Sequence, residues 1–173
     1  MLDSIKFIDG GITAAKGFTA SGYNCGIKAG RTKNDTALVY SEKLCNASGV
    51  FTRNIVKAES VKYTQQILKN GKAQAAIVNV GYANACTGEQ GAQVAKKMAI
   101  AAANALNINP DDVIVCSTGI IGQQVPVEKI EKNIMNLKNG LSKEGHKDAS
   151  IGIMTTDTQN KECAVQFELD GKV

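Results

Sequence analysis

The chain has 173 residues and 18.2 kDa, with 43% hydrophobic and 21% charged residues, proportions of a folded single domain that exclude a disordered tail, a collagen-like rod and a coiled coil. Lysine and arginine total 20 against 16 aspartate and glutamate, and the surplus is scattered in singles and pairs such as Lys96-Lys97. Without a clustered basic face, without tryptophan and with 5% aromatics, the chain supplies neither a nucleic-acid footprint nor a base-stacking platform.

No run approaches the roughly 20 apolar residues of a membrane span. The start MLDSIKFIDGG lacks the basic opening and apolar core of a secretory signal, so the expected compartment is cytoplasmic. Cys25, Cys45, Cys86, Cys116 and Cys163 lie far apart, with neither a C-x-x-C pair nor a zinc-finger spacing, and read as reduced thiols. No metal or other cofactor is expected.

In chain order, Ala37 to Tyr40 and Gly49 to Phe51 are the first β-rich runs. From Lys57 to Lys69, Ala58, Val61, Ile67 and Leu68 recur near helical spacing, and Asn70-Gly71 supplies a stop signal. Ala75 to Val80 (AAIVNV) is a continuous apolar run of the kind covered on both faces. A helix is expected to begin near Thr87, with its hydroxyl capping and Gln90 three residues on, and to run through the alanine-rich stretch Ala92 to Leu106 before Asn109-Pro110 closes it. Asp112 to Cys116 gives another covered strand. Pro126 then opens a helix with Val127, Ile130, Ile134, Leu137 and Leu141 on one face and Asn139-Gly140 at its end. Ser150 to Thr155 and Ala164 to Leu169 complete the strands, the last of them (AVQFEL) alternating as a half-buried strand does. The pattern predicts a layered α/β fold over residues 1–173.

Chemistry concentrates where strands end. In VIVCSTGIIGQQVPVEKI a buried-type strand reaches Ser117-Thr118-Gly119 before a loop and a helix. Such a place presents backbone N–H groups and a hydroxyl to an anion or a developing oxyanion, or else holds only a tight turn that needs glycine. The spacing is not that of a phosphate-binding P-loop. Asn79-Val80-Gly81-Tyr82-Ala83-Asn84-Ala85-Cys86-Thr87-Gly88 is a second strand exit, whose Asn and Thr side chains either orient a polar ligand or cap and turn the backbone. Met154-Thr155-Thr156-Asp157-Thr158 is a hydroxyl-rich strand end. His146, in the polar stretch SKEGHKDAS, is expected in solvent. Cys116, after Val-Ile-Val, is expected to be a buried inert thiol, and Asp111-Asp112 a solvated turn.

Several segments in fixed order resemble the N-terminal (α) chain of the ornithine acetyltransferases, also called glutamate N-acetyltransferases. They are GGITAAKGFTASGYNCGIK, DTALVYSE, ASGVFTRNIVKAESV, the stretch ANACTGEQG at 83–91, CSTGIIGQQVP and IGIMTTDTQNKE. The resemblance implies an α/β sandwich of N-terminal-nucleophile type and a precursor that cleaves itself before a threonine. It also implies a β-chain partner, in an α2β2 heterotetramer, whose new N-terminal Thr attacks the acetyl group of N-acetylornithine and passes it to glutamate in arginine biosynthesis. The family's oxyanion hole maps onto the Thr118 hydroxyl and the Gly119 N–H, and its substrate-binding threonine onto Thr155 rather than Thr156. Where the family reads N-S-G-N-A-N-A, this chain has Val80 and Tyr82 in place of a serine and an asparagine, a change that points to an altered pocket or acceptor preference. The sequence stops at Val173, ahead of the family's A-K-G-S-G-M segment and Ala-Thr cleavage site, so neither the nucleophile nor its base falls within these residues. Use of acetyl-CoA as a second donor is left open. A related amide hydrolase or aminopeptidase subunit, and a small-metabolite binding module, are the alternatives.

Overall fold

Alternating side chains build the central sheet, in which β2 (Phe18–Tyr23), β3 (Thr36–Asn46) and β4 (Lys72–Tyr82) pair antiparallel and β5 (Val113–Ile120) joins β4 in parallel. A parallel neighbour requires a crossover, and α2 (Gly88–Leu106) provides it. The computed structural model describes residues 5–169. Ala75 and Ile77 of β4 and Val113 and Val115 of β5 turn to one face. There they meet Val94, Ala95 and Met98 of α2 and Ile130, Ile134 and Leu137 of α3 (Val127–Asn139) in the main core. The intervening alanines Ala99, Ala102 and Ala103 of α2 are fully buried, and their small side chains bring that helix close to its neighbours.

On the opposite face Ala20 and Ala37 pack against Ala149 of α4 (His146–Gly152), which gives the layered α/β arrangement expected. This contact is nearly backbone on backbone. A Cβ added at Gly22 would lie 2.0 Å from the Asp148 carbonyl oxygen, and one at Gly145 would lie 1.7 Å from that of Ala20. A separate two-stranded sheet pairs β1 (Lys6–Ile8) antiparallel with β6 (Ala164–Gln166).

Several expectations are corrected. Ser150 to Thr155 is not a strand. The run 146–152 is helical, with His146, Ala149 and Ser150 buried at three- and four-residue spacing, and Thr155 follows in a turn. A short apolar run such as IGIM fits either period, and docking on β2 decides it. Gly49 to Phe51 forms no strand, and Val50 is fully exposed. The final strand shrinks to Ala164–Gln166 and stays largely exposed. β5 does not stop at Cys116 but runs through the Ser-Thr-Gly segment to Ile120, and from Cys116 onward its outer face is open, so it is not covered on both faces. β1 and β2 lacked a strong sequence signal. Thr87 does not cap α2, because its hydroxyl donates to Asn84 Oδ1 at 2.8 Å instead.

The helix expected over 57–69 forms as α1 (Glu59–Ile67), but Ser60 and Thr64 take buried positions beside Ile67. Thr64 explains the polar choice. Its hydroxyl donates to the Val115 carbonyl at 2.9 Å and accepts from the Val115 N–H at 3.1 Å, closing the outer edge of β5 with a side chain in place of a fifth strand. Replacing that hydroxyl by a methyl group leaves both backbone groups of Val115 unsatisfied. Thr64→Val is therefore expected to lower unfolding free energy by about 1–3 kcal/mol, whereas Thr64→Ser retains most of it, as read by denaturant titration.

Candidate functional site

β4 and β5 run in the same direction, and a cleft of about 270 Å³ opens beside their carboxyl ends, the usual place for a ligand on a parallel pair. Val80, Gly81, Thr118, Gly119 and Ile120 line it from the two strands, Lys28 and Arg31 from the β2–β3 loop, and Thr155 and Thr156 from the turn after α4. The three residues singled out from sequence, Thr118, Gly119 and Thr155, thus share one cleft. All of α3 and α4 lies between the first two and the third in the chain. Docking of α4 on β2 and β3 carries Thr155 to the strand ends.

The Ser-Thr-Gly segment is held by a close approach of the two strands. Gly81 and Gly119 are paired in register with φ of +103° and +136°, and a Cβ at Gly119 would lie 2.3 Å from the Gly81 carbonyl carbon and 2.5 Å from the Tyr82 nitrogen. No side chain fits there, so glycine is required both for space and for backbone conformation. Strand alternation sets the direction of the donors. Val115 turns its N–H and C=O away from β4 toward Thr64, and two-residue periodicity carries the N–H groups of Ser117 and Gly119 to that same outer side. Thr118, of opposite parity, pairs with Val80 of the cleft lining. The site can thus offer an anion a hydroxyl and a main-chain N–H from adjacent residues.

The β2–β3 loop is built around Asp35, a fully buried carboxylate that accepts from the N–H groups of Cys25 at 2.7 Å and Ile27 at 2.6 Å. The Asp35 carbonyl accepts from the Val80 N–H at 2.9 Å, which ties the loop to β4. Lys28 and Asp35 fall at the edges of the family-like segments GGITAAKGFTASGYNCGIK and DTALVYSE and Arg31 lies between them, but no local pattern gives any of the three a role, and only the fold brings the loop to the strand ends. Near Thr155, Asp157 accepts from the Thr155 N–H at 3.3 Å and from Lys161. The Lys161 hydrogen bond, with help from that N–H, holds the Asp157 carboxyl below its usual range.

Other candidates fall elsewhere. His146 is buried, not in solvent, with Nδ1 2.8 Å from Glu162 Oε2, because its polar stretch forms the first turn of α4 against the sheet. Cys116 occupies an exposed position, not the buried one expected, although partial desolvation still raises its thiol pKa. Asp111-Asp112 forms a turn in which Asn109 Oδ1 accepts from the Asp111 N–H. Of the two departures from the family pattern, Val80 lines the cleft, whereas Tyr82 packs against the main core. Among the described residues no group of three or more His, Cys, Asp and Glu side chains gathers to hold a metal ion.

Burial pushes the Cys25 thiol from 9.0 up to about 11, with the Asp35 charge adding to the rise and a Thr36 hydrogen bond opposing it. A raised folded-state pKa favours the protonated thiol, so its stabilising contribution is complete below about pH 9 and disappears as pH climbs toward about 11. Iodoacetamide at pH 8 is expected to leave Cys25 unmodified in the folded protein and to alkylate it after denaturation, as followed by peptide mass spectrometry.

The ArgJ family model matches residues 19–173. The chain is 51% identical over 168 residues to the arginine biosynthesis bifunctional protein ArgJ of Caldanaerobacter subterraneus subsp. tengcongensis, covering 97% of this chain and 41% of that protein. It is 44% identical to the protein of the same name from Symbiobacterium thermophilum, covering 96% and 42%. It therefore spans about two-fifths of the length of these curated relatives. Among solved structures, ArgJ from Bacillus halodurans superposes with a TM-score of 0.89 at 35% identity, covering 97% of this chain and 88% of that one. Ornithine acetyltransferase from Mycobacterium tuberculosis, solved with ornithine, superposes with a TM-score of 0.86 at 36% identity, covering 95% and 94%. A family match over nearly the whole chain, joined to the same fold, makes this chain a member of the ArgJ family.

Proposed function

We propose that this chain is the α part of a glutamate N-acetyltransferase and supplies the oxyanion hole for a nucleophile carried by a β chain. The observation that carries the reading is the meeting of Thr118, Gly119 and Thr155 in one cleft. The β-chain threonine hydroxyl attacks the acetyl carbonyl of N-acetylornithine while its own α-amino group takes the proton. Collapse of the tetrahedral intermediate breaks the amide C–N bond, returns the proton to the leaving amine and frees ornithine. The glutamate amine then attacks the acetyl ester, giving N-acetylglutamate and the free threonine. Negative charge develops on the acetyl oxygen in each half-reaction, and the Thr118 hydroxyl and Gly119 N–H stabilise it both times. Thr155 contacts the substrate from the turn after α4.

Partnership is supported by what the fold leaves uncovered. Phe7 is 81% exposed, and its partner in the small sheet, Val165, and Phe167 just beyond β6 are exposed as well. Ile120, which lines the cleft, and Ile121 next to it in the chain stand exposed. Apolar surface of this kind fits burial against a β chain from the same precursor, in a heterotetramer of two α and two β chains. Among the described residues no helix is long and apolar enough to cross a membrane.

Thr118→Ala in the assembled enzyme is expected to lower kcat about 100- to 1000-fold, the usual effect of losing one oxyanion donor, with chain pairing unchanged by gel filtration. Unchanged turnover rejects the role of Thr118. Ornithine release from N-acetylornithine is expected to be fast only when glutamate is present, and fast release into water alone assigns the chain to an amide hydrolase.

A further inference from the structure

Lys28 and Arg31 occupy the first and fourth positions of a tight turn. The Arg31 N–H donates to the Lys28 carbonyl at 3.2 Å, and Gly30 supplies the positive φ of +74° at the third position. Such a turn brings its end residues side by side, and both line the cleft. The Lys28 stem lies along β4, where a Cβ at Gly81 would sit 3.3 Å from Lys28 Cβ and 3.9 Å from Cδ. Gly81 is the register partner of Gly119, so the lysine borders the Thr118-Gly119 segment.

Neither charge is cancelled. The Arg31 guanidinium donates from Nε and Nη2 to the Asn34 carbonyl at 2.9 and 2.7 Å, and from Nη2 to the Ile151 carbonyl at 3.3 Å. These neutral acceptors fix the group without neutralising it. Among the described residues the ion pairs are Lys62–Glu59, His146–Glu162 and Lys161–Asp157, so neither cleft cation has a carboxylate partner there. No described aspartate or glutamate lines the cleft. A concave surface with two unpaired cations and no anion recruits an anionic group, and a planar guanidinium suits a carboxylate.

We propose that Lys28 and Arg31 form a carboxylate-binding wall that holds the α-carboxylate of each amino-acid substrate in turn. The assignment rests on the acetyl-transfer reading. N-acetylornithine and glutamate share only the α-carboxylate as an anion, and the ornithine side-chain ammonium would be repelled by two cations. The wall therefore faces the shared group and orients both substrates on the oxyanion hole.

Lys28→Met in the assembled enzyme keeps the stem over Gly81 and removes the charge. KM for both N-acetylornithine and glutamate is expected to rise about 10- to 100-fold with little change in kcat, and Lys28→Arg is expected to restore most of the loss. Glutamate α-amide, an acceptor without the α-carboxylate, is expected to be used equally by wild type and variant. Unchanged KM values overturn the proposal, and so does a rise confined to glutamate, which would place the wall on the γ-carboxylate. Calorimetric titration with glutamate separates this proposal from the reaction assigned above. Binding that weakens in Lys28→Met without any acetyl transfer sinks the reaction alone, normal transfer with unaltered KM sinks the wall alone, and absence of both binding and transfer sinks both.

Discussion

The structure turns on the contact between Gly81 and Gly119, where parallel strands approach so closely that a single added carbon at Gly119 would lie inside the β4 backbone. Close-packed interiors transmit such constraints, because neither strand can shift without displacing the core beneath it. That core is the alanine-rich surface of α2, with Val94 and Met98, set against Ile77 and Val115. The crossover helix therefore does more than connect β4 with β5, since its packing fixes where the Ser-Thr-Gly backbone stands.

Electrostatics complete what packing begins. The Asp35 carboxylate is wholly buried, yet the N–H groups of Cys25 and Ile27 satisfy it, so its charge organises the loop at modest desolvation cost. The same loop then presents Lys28 and Arg31 to the cleft. One anion is turned inward on architecture while two cations line the cleft, an asymmetry that a net charge of +4 spread along the chain does not reveal.

The uncovered surfaces belong to the same logic. α1 closes the β5 edge at Val115 through Thr64, but from Cys116 to Ile120 that strand has an open face, and the small β1–β6 sheet keeps Phe7 and Val165 exposed. The chain spans about two-fifths of the length of its curated relatives, and these apolar side chains stand exposed on it.

The sequence by itself determined the long helices, the strand at 75–80, most of the one expected at 112–116, and the family, because periodic burial and ordered motifs are local properties written in adjacent residues. It marked Thr118, Gly119 and Thr155 through that family resemblance. It did not determine that Ser150 to Thr155 avoids a strand, that His146 is buried, or that Cys116 is exposed. The first two outcomes follow from docking α4 on β2 through Gly22 and Gly145, a contact between segments more than a hundred residues apart. The third follows from strand alternation, which turns Cys116 to the face opposite the core that holds Val113 and Val115, where α4 packs on Ala20 and Ala37 and not on β5. Only the tertiary structure brought Lys28, Arg31 and Asp35 to the strand ends, since a loop's charges acquire a direction when distant backbone hydrogen bonds fix the loop in space.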